Sequence, residues 1–300
     1  MNETTLARQT TAGKREGLST PLLSSARLER YLTALSSHLV LLFFTAVIIY
    51  PVVWMLFASL KSRTEIVENV WGPPQTLAWE NYVGAWQSAD LGYALLNSVV
   101  TSIGSVVLVI ILAALAGYAF AKLQFRFATL IFLVLIFTMH APAPIIPLYI
   151  MLVKLGLTDS RIGLILPMVA GGLPLAIFIF RAFFQSIPGE LLDAAKVDGC
   201  TELSAFLRVV MPISGPAIAT VAILEFVGAW NQYFLALVLL RSAEMRTIPL
   251  AIQVFFYAWG RTEWEQVFAA LCIGSLPMIL LYIIMQRQFI QGLTAGSVKG

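Results

Sequence analysis

Glu225 is the sole Asp, Glu, Lys or Arg in residues 209–240, a run of 32. A charge at the centre of an apolar membrane helix costs about 2.5–3.5 kcal/mol on insertion scales, so a carboxylate there marks a role by default. It could carry a proton, tie two helices together, or hydrogen-bond a ligand hydroxyl. Trp230, Asn231, Gln232 and Tyr233 follow one to two turns later, with amide groups and aromatic faces. Ala229 and Gln232 share the Glu225 face best, at i+4 and i+7, so spacing supports only part of that set. The remaining reactive residue types are sparse. His140 and His38 have no neighbouring carboxylate or second ligand in sequence and are expected to be packed or interfacial. A nucleophilic pairing of Ser214 with His140 is disfavoured, because Ser214-Gly215 lacks the Gly that precedes the serine in the usual G-x-S-G pattern. Two cysteines, Cys200 and Cys272, make no metal cage.

The elements that must position these residues are apolar. Of 300 residues, 59% are hydrophobic and 12% charged, and the mean hydropathy is +0.85. Soluble domains carry about 25% charged residues. That excludes an ordinary soluble enzyme, a fibrous protein and a disordered chain. The net charge of +3 is too small to point to nucleic acid. Six runs, residues 31–60, 91–121, 127–153, 162–180, 209–240 and 266–286, hold one charge between them, Glu225. A bilayer core about 30 Å thick needs roughly 20 helical residues, so each run is long enough to span. The expected fold is an all-α polytopic membrane protein with six transmembrane helices. With both termini cytoplasmic, 12 of the 19 basic residues fall on the inner side, which favours that orientation. Cys200 then lies inside and Cys272 within the last span, so no disulfide is expected.

Residues 1–34 are expected to be a flexible cytoplasmic tail, 35–290 the six-span transmembrane domain and 291–300 a cytoplasmic C-terminal tail. The first apolar run exceeds a secretory h-region of about 7–15 residues and is read as an uncleaved anchor. Residues 61–90, with Pro73, Pro74 and three Trp, should form a small outer cap. Pro142, Pro144 and Pro147 forbid a straight outer end to the third run, and Pro167 and Pro174 raise the same question for the fourth. Residues 247–260 are apolar but too short to span, and are read as interfacial or re-entrant.

The longest inner loop, about 186–212, has the most legible pattern. Pro188 suits a first helical turn, and Glu190 to Lys196 is rich in helix formers. Asp198-Gly199 breaks that helix, as a turn or C-cap would. Thr201 can cap a second helix, in which Leu203, Phe206, Leu207 and Val210 form one apolar stripe. A helix-turn-helix at the membrane surface could dock a partner or pack on its own bundle.

At this loop the chain resembles the inner-membrane permeases of ATP-binding cassette importers. Their signature, roughly EAA, three residues, Gly and later a hydrophobe-Pro pair, stands here as Asp193-Ala194-Ala195, Gly199 and Met211-Pro212, with Asp for the family's first Glu. Residues 147–167, 226–234 and 292–300 are similar to the carbohydrate branch of the maltose-system type. The resemblance covers nearly the whole chain after about residue 35.

It implies a transport subunit rather than an enzyme, paired with a second, different permease. A homodimeric cytoplasmic ATPase would dock below, and an extracytoplasmic binding protein would deliver a carbohydrate from above. The loop with Glu190, Asp193, Ala194, Ala195, Asp198, Gly199 and Pro212 would couple to the ATPase. Asp193 would pair with a basic group there, and Gly199 would permit the tight turn. Glu225, Trp230, Asn231, Gln232 and Tyr233 are candidates for the substrate pathway. No cofactor is expected in this chain, which lacks a phosphate-cradling G-x-x-x-x-G-K-[ST] loop; ATP and Mg would belong to the ATPase. The alternatives are the same importer class carrying a polyol or sugar phosphate, and a proton-coupled secondary transporter using Glu225.

Overall fold

A computed structural model describes residues 22–139, 144–256 and 261–297, with side chains over 30–139, 144–256 and 261–286. His140 and Pro142 therefore lie outside the described residues, as do 1–21, 257–260 and 298–300. The described residues are helical or in turns, with no strand among them. The chain divides into two units, Met1–Trp54 and Met55–Gly300.

The described part of the first unit is one helix. It belongs to α1, Leu22–Ser59, which contains Pro51. The helix begins inside the segment expected to be a tail. Every described side chain from Arg30 to Val53 is exposed, Leu42 at 69% and Ile48 at 70% among them. A row of bare aliphatic side chains this long suits a lipid surface rather than water. His38 Nδ1 hydrogen-bonds the Ala34 carbonyl (2.6 Å) one turn back.

The second unit opens with α2, Arg63–Glu68, and α3, Glu80–Ser88. These two short helices occupy the stretch in which a small outer cap was expected. The Lys61 ammonium, 1% exposed, donates to the Asn69 and Val70 carbonyls. Asn81 Nδ2 donates to the Ser59 and Lys61 carbonyls (both 2.9 Å). Two long helices follow in the core, α4 (Leu91–Lys122) and, after α5 (Ala128–Thr138) and α6 (Ile145–Lys154), α7 (Arg161–Ser186). Helices in lipid associate through close packing, which small residues permit. Gly117 shows this most directly: a Cβ there would lie 2.7 Å from Phe180 Cβ and 3.0 Å from the Arg181 backbone nitrogen. Val109, Ala113 and Ala114 pack with Ile177, Phe180 and Phe184 in the same apolar core.

The third apolar run is divided between α5 and α6. Each is too short to cross alone; Pro144 caps the start of α6 and Pro147 lies in its first turn, while Pro142 is outside the described residues. The fourth run is not broken: α7 is continuous through Pro167 and Pro174. Beyond α7 come α8 (Gly189–Val197) and α9 (Glu202–Ala205), a wider i→i+5 turn over Phe206–Val210, and the short α10 (Met211–Ile213). Then α11 (Gly215–Trp230) leaves the α9–α10 segment at 77°. The fifth run is thus not one straight helix as expected. Pro212 and Pro216 flank the bend and remove two backbone donors from it.

The chain ends with α12 (Phe234–Leu239), α13 (Ile248–Ala251) with a 3₁₀ turn over Ile252–Phe256, and α14 (Trp264–Ser297). α14 carries helix into the expected C-terminal tail. Within 247–256, Ile248, Leu250, Ala251, Ile252 and Phe255 are buried. Among the described residues, four helices are long and apolar enough to cross a membrane, or five if the bent pair is one span.

Candidate functional site: a docking hairpin and a charged cleft

The hairpin of α8 and α9 is built by local chemistry. Gly199 has φ +80°, the left-handed region that suits glycine. Its N–H donates to the Lys196 carbonyl (3.0 Å), and the Cys200 N–H donates to the Ala195 carbonyl (2.9 Å). Those two bonds are the Schellman closure of a helix. Thr201 Oγ1 then accepts from the Ser204 N–H (3.2 Å) and caps α9.

One side of the hairpin is anchored. Leu192 and Ala195 join Phe184, Ile187, Phe206 and Val210 in the main core. The Tyr118 ring lies 5.0 Å from that of Phe206 and 6.1 Å from that of Phe184. Its hydroxyl donates to Glu202 Oε2 (3.1 Å), while Lys196 Nζ sits 2.7 Å from Glu202 Oε1. Lys122 Nζ donates to the Ile187 carbonyl (2.7 Å). α4 and α7 therefore both hold the hairpin. Sequence reasoning missed Tyr118, Lys122, Lys196 and Glu202 as a group, because the first two close α4 and the other two lie in the hairpin some 80 residues later.

The other side is open. Glu190, Asp193, Ala194, Asp198 and Gly199 are exposed, and so are Leu191 (45%) and Val197 (88%). Leu203 and Leu207 are also exposed, at 59% and 56%, so the expected single stripe splits. Phe206 and Val210 face the core; the wider turn that begins at Phe206 ends the regular α-helical spacing. Pro212 stands at the end of the hairpin, in α10. The result is a short, stiff surface of carboxylates between bare aliphatics, suited to a partner with basic groups around an apolar seat.

Glu225 faces a second feature. On α11 it lines a cleft against Gly171 and Gly172 of α7. A Cβ at Gly172 would run into the Glu225 carboxylate. Ser105 of α4 is its polar side-chain neighbour. The Ser102 hydroxyl, three residues earlier on α4, is buried without a hydrogen-bond partner among the described residues.

Its sequence neighbours point elsewhere. Trp230 is buried, stacks on Phe226 (5.5 Å) and donates its indole N–H to the Gly274 carbonyl of α14 (3.2 Å). Asn231 Nδ2 donates to the Val227 carbonyl (2.9 Å), and Gln232 Oε1 accepts from the Leu235 N–H (3.2 Å). Tyr233 is exposed. Ser214 is fully buried, and its hydroxyl donates to the Val210 carbonyl (2.5 Å), a helix-bend contact. Cys200 and Cys272 are both free.

The far ends of α4 and α7 are clipped by loop polar groups. Asn97 Nδ2 donates to the Glu244 and Arg246 carbonyls (2.7 and 3.0 Å), and Asn97 Oδ1 accepts from Arg161 Nε (2.9 Å). Asp159 Oδ1 accepts from the Arg241 N–H, the Ser242 N–H and the Ser242 hydroxyl (2.9, 3.1 and 3.1 Å). Partial burial pushes the Asp159 carboxyl up. The bonds from Arg241 and Ser242, with the Arg241 charge, outweigh it and leave the group below its ordinary value.

Comparison with known proteins places the chain in a family. Residues 109–294 match the family described as binding-protein-dependent transport system inner membrane component. This chain belongs to that family. The permease is 32% identical to the diacetylchitobiose uptake system permease protein of Streptomyces coelicolor, over 88% of each chain. It is 33% identical to an arabinooligosaccharides transport system permease protein of Halalkalibacterium halodurans, over 86% of this chain and 94% of that one. It is 37% identical to the trehalose transport system permease protein of Mycobacterium tuberculosis, over 83% and 92%. Its fold is similar to a chain in the crystal structure of a bacterial ABC transporter involved in the import of the acidic polysaccharide alginate. The TM-score is 0.77 at 23% identity, covering 87% of this chain and 98% of that one. The permease is thus an inner-membrane transport subunit of a binding-protein-dependent ABC importer, and ATP hydrolysis belongs to a separate subunit.

Proposed function

We propose that this permease pairs with a second, different permease to form the pathway of a carbohydrate importer. The printed cargoes of three relatives, diacetylchitobiose, arabinooligosaccharides and trehalose, support the carbohydrate class. A polyol or sugar phosphate is the nearest alternative cargo. The chain crosses the membrane six times with both termini in the cytoplasm; the α5–α6 pair makes the third crossing and α11, beyond the 77° bend, begins the fifth. An extracytoplasmic binding protein delivers the cargo.

The observation that carries the coupling mechanism is the hairpin's two-sided build. Its anchored side holds α4 and α7, and its open side presents Asp193 and Glu190 among bare aliphatics. Two ATPase copies seat this hairpin and its counterpart on the second permease. Closure of the ATPase dimer on ATP drags both hairpins as levers, and the spans rock from inward-open to outward-open. Asp193 pairs with a basic group of the ATPase, and Gly199 and Pro212 set the lever's two corners. Cargo then passes beside Glu225 and leaves inward after hydrolysis.

Gentle extraction of the tagged chain from its native membrane tests the assembly. A second permease and a roughly twofold excess of an ATPase should copurify, and a chain that purifies alone overturns the reading. In the same membranes Asp193→Ala should abolish uptake while the chain remains inserted at normal abundance. Normal uptake would remove Asp193 from the coupling surface.

A further inference from the structure

A pocket of about 310 Å³ opens between α12 and α13, and Arg241, Arg246 and Gln253 supply its polar lining. No carboxylate is among its described lining residues. Glu244 stands between the two arginines in sequence but outside the lining. Asp159 Oδ1 is occupied by the Arg241 N–H and by Ser242. Among the described residues neither arginine makes an ion pair, and the Arg246 guanidinium makes no hydrogen bond. Both side chains project from fixed points. The Arg246 carbonyl accepts from Asn97 Nδ2 (3.0 Å), and the Arg241 N–H is held by Asp159 (2.9 Å). The Arg241 guanidinium lies over the Tyr149 ring (5.9 Å) and donates to the Tyr149 hydroxyl. Two planar cationic forks without an acid call for an oxyanion.

Depth and walls identify that oxyanion. Asn97 is in the second turn of α4, and Arg161, which bonds it, opens α7. Both helices are long and apolar enough to cross a membrane. The arginines thus lie where membrane helices end, at the level of phospholipid headgroups. The rest of the lining is aliphatic. Leu240 and Leu250 are its buried floor, and Leu237 (42% exposed) leads out of it towards Phe234, one turn earlier on α12 and 54% exposed. A phosphate on the arginines would lay an acyl chain along that row. A free anion or a lone protein carboxylate would leave the aliphatic wall unused.

We infer that this pocket binds the headgroup of an anionic phospholipid of the phosphatidylglycerol type. The arginines take phosphodiester oxygens, the Gln253 amide oxygen accepts from a glycerol hydroxyl, and the aliphatic row takes an acyl chain. Basic pockets beside membrane helices suit acidic headgroups in this way. A choline or ethanolamine headgroup would bring a cation beside two arginines, with no acid among the lining residues to receive it. The site is separate from Glu225 and does not depend on the cargo.

The complete importer, with its second permease and ATPase, is reconstituted in nanodiscs of phosphatidylcholine containing a minor share of phosphatidylglycerol. Lipids that stay on the released complex are weighed by native mass spectrometry. Wild type should retain phosphatidylglycerol in preference to phosphatidylcholine. Arg241→Gln and Arg246→Gln keep the backbone bonds of their loop. Each should weaken that retention about tenfold, the factor by which hydrogen bonds to charged groups exceed neutral ones. Leu237→Gln should weaken it as well, because the acyl row is interrupted. Glycerol phosphate, the headgroup without chains, should displace the lipid poorly. Equal retention of the two lipids, or wild-type retention in both arginine variants, overturns the site. Ready displacement by inorganic phosphate makes it a site for free oxyanions and overturns the lipid. Unchanged lipid retention with weaker docking of the extracytoplasmic binding protein in the arginine variants overturns it too, and assigns the pocket to that protein's carboxylates. Where Arg246→Gln does not assemble, Arg246→Lys decides: it keeps the charge but loses the planar fork, and retention must still fall.

Discussion

Gly199 is the residue at which local geometry and function meet most closely. Its φ of +80° is a backbone state that costs an L-residue about 1–2 kcal/mol. A Cβ there would touch nothing within 4 Å, so backbone strain is the whole penalty of substitution. Gly199→Val should therefore abolish uptake with the chain still inserted, whereas Gly199→Asn, whose side chain tolerates the left-handed region, should retain a substantial part. Equal uptake in the two variants would show that the turn is not what matters. At this scale the hairpin was legible: the Asp198-Gly199 stop and the Thr201 cap depend on atoms a few bonds apart. Trp230 was not. The sequence places it five residues after Glu225, but its indole N–H reaches Gly274, 44 residues away, so the aromatic expected beside the pathway belongs to packing against α14.

Among the elements, the link between α4 and the α8–α9 hairpin gives the sharpest expectation. The Lys196–Glu202 pair is half exposed, and exposed pairs add little stability. The Glu202 bond and charge nonetheless hold the Lys196 ammonium above its ordinary value. Tyr118 ties the same carboxylate to α4 from a buried position. Tyr118→Phe should leave folding and ATPase docking intact yet raise the ATP hydrolysed per sugar imported. Glu202→Gln should do the same. An unchanged ratio in reconstituted importer would mean that aromatic packing alone transmits the motion. The apolar runs located most long helices because helix in lipid must satisfy its own backbone. They did not reveal the 77° bend before α11. Pro212 and Pro216 permit a bend, but its angle depends on what the two halves pack against.

At the scale of the whole second unit, α4 and α7 form a bar with the hairpin at one end and the Asn97–Asp159–Arg241 clip at the other. The clip should resist opening at neutral pH. The Asp159 carboxyl is depressed in the fold, so its stabilising contribution is complete above the ordinary carboxylate value of about 3.9 and is lost as pH falls through the lower folded value. Asp159→Asn mimics that protonation at constant pH. Amide exchange at Arg241 and Ser242 should then quicken by an order of magnitude or so while the α4 core stays protected, and unchanged exchange would remove the clip from the account.

Taken alone, the sequence determined the membrane class, the position of most long helices and the turn chemistry of the α8–α9 hairpin. Each of these follows from interactions within a segment or between a segment and its solvent. Tertiary structure alone decided that Gly172 makes room for Glu225, that Tyr118 meets Glu202 across 84 residues, and that Asn97 reaches Arg246 across 149. Such contacts leave no periodicity in the chain. They arise when helices with small-residue faces pack closely enough for single polar groups to find one another, and the sequence does not specify which faces meet.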